Sequence, residues 1–197
     1  MSAQVVRFRE LTPTPLYTPD PEVPDEVYRS ILPPIYLMMG PEPFAGGAGG
    51  NKAMIGPKEL FIGIIAAAPG FKIPLHAHLG STEIFLCLTG RFRLRSRDAR
   101  GESEAVLEPL DMAAVPAGTY RDFVNVTGEP ALILAMSLIH DAAADDVLID
   151  AEESRALCER LGPELLKRVG ISTGNQFQLE PEPEEPPVTS ARTDPSC

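Results

Sequence analysis

Two of the chain's three histidines stand two positions apart, in His76-Ala77-His78, and a carboxylate, Glu83, follows five positions after the second. On an extended strand side chains alternate, so His76 and His78 project from one face, about 7 Å apart along the chain. Leu79-Gly80-Ser81 then turns the chain, and Glu83 is expected to open the next strand, antiparallel and adjacent. Two imidazoles and a carboxylate converge in this way on one face of a single divalent metal ion, leaving the opposite positions open. That donor set suits Fe(II) and oxygen chemistry, and Mn, Ni, Co or Zn fit it too. Two imidazoles in an apolar setting with nothing to compensate them would be costly. Metal ligation by His76, His78 and Glu83 is the reading the spacing favours.

The elements that must hold these residues are strands. From residue 59 to 139 short apolar runs alternate with turn residues: Leu60–Ala67, Glu83–Leu88, Arg91–Ser96, Met112–Val115, Tyr120–Val126 and Ala131–Ile139. Ile35–Met39 is a further strand candidate. Many short strands at such intervals argue for a sandwich or barrel. Thr89-Gly90 reads as a tight hairpin between its neighbours. Arg91-Phe92-Arg93-Leu94-Arg95 alternates strictly, so Phe92 and Leu94 face the core and the arginines face out. Glu102 and Glu104, across the Asp98–Gly101 turn, are placed to pair with those arginines. The row is therefore a salt-bridged outer face and not an anion site.

Around this body the chain divides into a proline-rich arm (1–34), a barrel (35–140), a helical segment (141–174) and an acidic tail (175–197) expected to be disordered. The arm holds a short helix near Glu26–Leu32 and lies across the body or a partner subunit. Gly46 to Lys52 is glycine-rich, but Asn51 precedes Lys52 and Ala53 follows it, so the phosphate-cradling pattern is not met; a surface loop is expected. Asp150 is a good N-cap, with Glu153 placed to close a capping box. Leu157, Leu161, Leu165 and Val169 then recur at helical spacing, and Gly162-Pro163 splits the run into two short helices.

Composition removes several function classes. The formal net charge of −11 repels phosphate backbones and anionic membrane surfaces, so neither nucleic acid nor membrane is an expected partner. No run approaches the roughly 18 apolar residues of a membrane span. Arg7, Arg9 and Glu10 follow only a short apolar stretch, unlike a secretory signal. Cys87, Cys158 and Cys197 are too widely spaced for a disulfide framework. The cytoplasm is the expected location.

The segment Gly70, His76, His78, Glu83, Gly90 resembles the first motif of the cupin superfamily, and Pro116, Gly118 and Asn125 resemble the second. The likeness covers residues 70–125 and extends with the flanking strands to roughly 35–140. It implies an all-β, double-stranded β-helix (a jelly-roll barrel) with the metal inside its mouth, usually assembled as a homodimer. Two positions depart from the pattern. Leu110 stands where the second motif usually has glycine, with Asp111 as the turn residue in its place. Arg121 occupies the position of the fourth ligand, normally histidine. A guanidinium stays protonated and has no lone pair to donate, so it cannot ligate.

Strand parity puts Arg121, Phe123 and Asn125 on one face, which the resemblance makes the inner one. Three roles for Arg121 follow: it binds an anionic substrate beside the metal, it pairs with Glu83 and weakens or empties the site, or it bends out of the mouth. His140 could replace the missing ligand, although its alternation with Leu134, Met136 and Leu138 favours a hydrogen-bonded histidine at the solvent edge. Cys87 shares the parity of Glu83 and is expected to be a buried, inert thiol, while Tyr120 and Asp122 take the outer face. No Ser/His/Asp or Cys/His nucleophilic set is present.

Two functions are consistent with these residues. One is a metal-dependent enzyme with Fe2+ as the favoured cofactor. It would act on a small carboxylate- or enolate-bearing molecule, by dioxygenase-type chemistry or as an isomerase or lyase, with Arg121 orienting the substrate. The other is a non-catalytic cupin that binds a small ligand beside a weak or empty metal site.

Overall fold

A computed structural model of the chain describes residues 4–13, 15–42, 52–143 and 147–179. The loop expected at Gly46–Asn51 and the tail from residue 180 lie outside these residues. The strands in chain order are β1 (Ile35–Gly40), β2 (Met54–Ile55), β3 (Leu60–Ala67), β4 (His76–His78), β5 (Ser81–Cys87) and β6 (Phe92–Asp98). They continue with β7 (Gly101–Leu107), β8 (Met112–Val115), β9 (Tyr120–Asn125), β10 (Ala131–Ile139), β11 (Val147–Ile149) and β12 (Asn175–Phe177). The helices are α1 (Asp25–Arg29), α2 (Ala151–Leu161) and α3 (Pro163–Thr173). Among the described residues no helix is long and apolar enough to cross a membrane.

The strands form two six-stranded sheets, ordered β2-β1-β3-β10-β5-β8 and β12-β11-β4-β9-β6-β7. This is the expected double-stranded β-helix with short C-terminal helices. Alternation along each strand sends one side chain in and the next out. Ile65, Phe85, Phe92, Phe123 and Ile133 fill one end of the barrel. The Phe123 ring meets Phe85 and Phe92 edge-on, with centroids 5.7 and 5.9 Å away. That aromatic plug closes one end and leaves the other for the site.

The hairpin read at Thr89-Gly90 is corrected. β5 pairs with β8 and β10, while β6 pairs with β7 and β9, so the chain changes sheets at this turn. The corner is fixed because Leu88 and Thr89 donate their N–H groups to the Leu132 carbonyl and the Thr89 hydroxyl accepts from Leu132 N–H. Gly90 is required there twice over. Its φ is +72°, and a Cβ would lie 2.5 Å from the Ala131 Cβ. The hairpin at Asp98–Gly101, by contrast, is real, with Arg97 opposite Glu102 and Arg95 opposite Glu104.

A second cluster lies outside the barrel, where Val23, Val27, Tyr28 and Ile31 of the arm pack against Ile149, Leu157, Leu166 and Val169. The arm thus lies across the body, and the leucine stripe serves core packing. Asp150 caps α2 by accepting from Glu152 N–H and Glu153 N–H. The Glu153 carboxylate does not close the box, because it pairs with Lys72 instead. The tail does not begin at residue 175: Asn175–Phe177 forms β12, parallel to β11. Asn175 fills a slot in that strand, which the acidic residues further on had obscured.

Leu110 carries the left-handed backbone, φ +79°, with its side chain 80% exposed. The turn therefore does not shift its strain onto Asp111. A leucine in this region costs about 1–2 kcal/mol and here gains no burial in return. Leu110→Gly is expected to raise unfolding free energy by about 1 kcal/mol, read as a higher urea midpoint at unchanged slope. An unchanged or lower midpoint would count against strain at this turn.

Candidate metal centre

The three proposed ligands do come together, by a different route from the one expected. β4 and β5 are not neighbours; they belong to opposite sheets, and Leu79-Gly80 carries the chain across the barrel. His76 lies directly beside Arg121 of β9 in one sheet. Glu83 lies directly beside Ser137 of β10 in the other. The site is thus two cross-strand pairs facing each other through the barrel interior. One donor atom from each of His76, His78 and Glu83 falls within 4.8 Å of the others.

Hydrogen bonds set how each side chain presents itself. His76 Nδ1 lies 2.7 Å from the Pro74 carbonyl. A carbonyl only accepts, so Nδ1 holds the proton and the Nε2 lone pair points away from it. His78 Nδ1 lies 3.3 Å from the Ser81 hydroxyl, and its Nε2 is 3.7 Å from Glu83 Oε1. Glu83 divides its two oxygens. Oε2 accepts from Nε (2.9 Å) and from Nη2 of Arg121, while Oε1 accepts from the Ser137 hydroxyl at 3.2 Å and faces His78.

Arg121 is 2% exposed and remains inside the barrel. Its third contact is from Nη1 to the His76 carbonyl, 3.1 Å away. Of the three roles open from the sequence, the structure shows the ion pair with Glu83. Three of the five guanidinium N–H groups are engaged by these contacts, which leaves two for a further acceptor.

The charges follow from this packing. Burial alone would push the Glu83 carboxyl up, but the Arg121 guanidinium and then the two imidazoles outweigh it and hold the group down at about 2. Burial, then Arg121 and His78, push His76 well below the usual imidazole range. At neutral pH the site therefore offers an ionised carboxylate and, at His76, a neutral imidazole, as metal ligation requires.

These residues fit a divalent ion. A metal with bonds near 2.1 Å holds neighbouring ligands about 3 Å apart, so the most separated donors must close by up to about 2 Å. His76 Nε2, His78 and Glu83 Oε1 all reach the same interior space, and Glu83 Oε2 stays with Arg121. The guanidinium supplies no ligand and adds a positive charge beside the site, which opposes cation binding.

The donors line the floor of a cavity of about 310 Å³. Most of its wall is apolar, with Leu37, Phe61, Ile65, Phe85 and Phe123 around the polar floor. Leu16, Tyr17 and Ile31 of the arm, Thr173 at the end of α3 and Asn175 of β12 complete the rim. Sequence reasoning missed Ser137, although it is the single polar residue between Ala131 and Ile139 and shares Glu83's inward parity. Nothing in the sequence tied the arm to the rim.

The remaining candidates lie elsewhere. His140 Nε2 pairs with the Thr82 hydroxyl at 2.8 Å on the surface, as its alternation suggested. Cys87 is fully buried and its sulfur lies 3.6 Å from the Thr89 and Gly90 carbonyls. Asp122 is on the outer face but only 1% exposed, because Arg95 and Lys72 cover it. Arg93 and Arg97 pair with Glu104 and Glu102 at 3.6 and 3.8 Å, and so the arginine row is salt-bridged.

The cupin domain family matches residues 63–137. None of the curated proteins matches the chain in sequence. Among solved structures, TT1209 from Thermus thermophilus is 27% identical, with 43% of this chain and 76% of that one covered and a TM-score of 0.39. A cupin-superfamily sugar phosphate isomerase from Silicibacter pomeroyi is 30% identical, with 42% and 52% covered and a TM-score of 0.36. A Klebsiella pneumoniae protein with a double-stranded β-helix domain is 13% identical, with 72% and 94% covered and a TM-score of 0.46. The chain spans about half the length of the isomerase it matches.

Proposed function

We propose, for a chain that the cupin domain family matches over residues 63–137, a metal-dependent enzyme acting on a small molecule held in the barrel. The observation that carries this reading is the convergence of His76, His78 and Glu83 at the floor of the cavity. Two imidazoles and one carboxylate suit Fe2+ and dioxygenase-type chemistry, with isomerase or lyase chemistry on the same donors as the neighbouring possibility. When bound, the ion would supply Lewis-acid or redox chemistry to the substrate.

The chain's own residues define the substrate. At about 310 Å³ the cavity is at the small end of ligand pockets. Its apolar wall suits a hydrocarbon or aromatic body and does not satisfy a row of sugar hydroxyls. The two remaining Arg121 N–H groups suit a carboxylate or enolate oxygen at the floor. Phe85 and Phe123 would hold the body, and the arm residues Leu16 and Tyr17 would limit water at the rim.

The Arg121–Glu83 pair favours a second reading, a non-catalytic binder of small anions whose metal site is weak. Elemental analysis of protein purified without chelator separates the two, together with oxygen uptake over a panel of small aryl and alkyl carboxylates. Near-stoichiometric Fe, Mn, Ni or Zn with turnover is the expected result. Protein that binds the carboxylates but holds no metal after reconstitution would overturn the enzyme and leave the binder.

A further inference from the structure

Three buried side-chain polar atoms have no hydrogen-bond partner among the described residues: Arg93 Nε, Asp122 Oδ1 and Asn175 Nδ2. The first two belong to charged side chains away from the cavity, where Arg93 pairs with Glu104 and Asp122 with Arg95 and Lys72. Asn175 is different in kind. It is uncharged, 8% exposed, and part of the cavity wall. A buried amide N–H without an acceptor destabilises a fold, and native proteins keep few of them.

Strand register places this amide relative to the metal centre. Asn175 of β12 lies beside Val147 of β11, and Val147 lies beside His78 of β4. All three line the cavity, so one row runs from the polar floor to the rim. At about 4.8 Å per strand, Asn175 stands roughly 10 Å from His78, backbone to backbone. Its position does not depend on contacts of its own amide. Gly174, at φ +75°, ends α3, and the Thr173 hydroxyl accepts from Asn175 N–H. That hydroxyl also donates to the Val169 carbonyl, so it has no proton left for a ligand. The Asn175 amide keeps its donor, and its soft terminal torsion lets Nδ2 turn toward a molecule at the rim.

We propose that Asn175 is a second anchor for the ligand and takes an uncharged oxygen at the end opposite the carboxylate. The assignment rests on the reading above, in which Arg121 receives that carboxylate. The ligand is then two-ended, with an apolar body between the floor and the rim. Charge defines the second end. Arg121 is the one Lys or Arg among the lining residues, so a second carboxylate would be desolvated without a counter-charge. A hydroxyl or carbonyl oxygen needs only one donor, and Nδ2 supplies it. The substrate class is therefore a small hydroxy- or oxo-substituted carboxylic acid. An acid without the second oxygen leaves the N–H unpaired, which is how the site would discriminate against it.

Isothermal titration of the full chain with phenylacetate, 3-hydroxyphenylacetate and 4-hydroxyphenylacetate tests the anchor. The wild type is expected to bind at least one hydroxylated acid about tenfold more tightly than phenylacetate. Asn175→Leu, close in shape but without the donor, is expected to erase that preference and to leave phenylacetate affinity within about twofold. Asn175→Ala should also erase it, which separates loss of the amide from bulk at the rim. The urea midpoint of Asn175→Leu should be no lower than that of the wild type, because an unpaired buried donor gives way to an apolar group. Equal wild-type affinity for all three acids would overturn the anchor alone, and so would a preference that survives both substitutions. A wild type that binds none of the three would overturn the anchor together with the carboxylate reading beneath it.

Discussion

Replacing Arg121 by alanine is expected to destabilise the metal-free protein by about 3–5 kcal/mol, because the Glu83 carboxylate would remain buried without its counter-charge. The guanidinium is 2% exposed and gives Glu83 Oε2 two N–H donors, and water entering from the cavity would supply hydrogen bonds but not the positive charge. The loss is read as a lower urea midpoint. Saturating divalent metal should restore much of it in the variant, since a cation at the site supplies the missing positive charge. A shift below about 1 kcal/mol would show that the pair is solvated and that Arg121 is not the group holding Glu83 in place. Arg121→His is expected to tighten metal binding at least about tenfold, by adding a ligand and removing a charge.

The same pair governs the response to acid. Glu83 sits at about 2 when folded, against an ordinary 4.5. A carboxyl lowered by folding contributes stability that is fully present above about 4.5 and is lost as pH falls toward 2. His76, depressed below 6.5, acts in the same direction, because below that pH the unfolded chain takes up a proton the folded site refuses. The wild type should therefore weaken steadily from about pH 6 downward. In Arg121→Ala the Glu83 part of that slope should shrink or reverse, because burial pushes the carboxyl up and its main counter-charge is gone.

His76→Ala is expected to reduce metal retention from near-stoichiometric to background, a loss of at least about 100-fold in affinity. One of three ligands disappears, and the remaining His78 and Glu83 come from opposite sheets without a third point to fix them. His76 is also the better oriented histidine, its proton held on Nδ1 by the Pro74 carbonyl. Element-resolved analysis of the two purified proteins measures the change, with circular dichroism confirming that the barrel persists. Equal metal content in both would sink the assignment of the ligands.

Most of the barrel was legible because its strands carry a period-two signal. Leu60–Ala67, Met112–Val115 and Ala131–Ile139 were read to the residue. Parity placed Phe92, Leu94 and Cys87 inside, and parity together with the family resemblance placed Arg121 there. What parity does not carry is which strand lies beside which. Glu83 was assigned to the strand next to the histidines, and Thr89-Gly90 to a hairpin; in both places the chain crosses between sheets. A tight turn has the same local chemistry whether its strands pair or part. The rim escaped for another reason. Leu16 and Tyr17 reach it only because Val27 and Ile31 dock on helices more than 120 positions later. No local pattern encodes such a contact.

That docking divides the site by ancestry. The donors and the aromatic plug belong to residues 63–137, the part that the cupin domain family matches. The entrance is built from Pro15, Tyr17, Ile31, Val147 and Asn175, all outside that stretch. Chemistry at the floor and admission at the doorway are thus free to diverge separately. The arm and the β11–β12 segment meet at one threshold, so substitutions in either act on what enters before they act on what reacts.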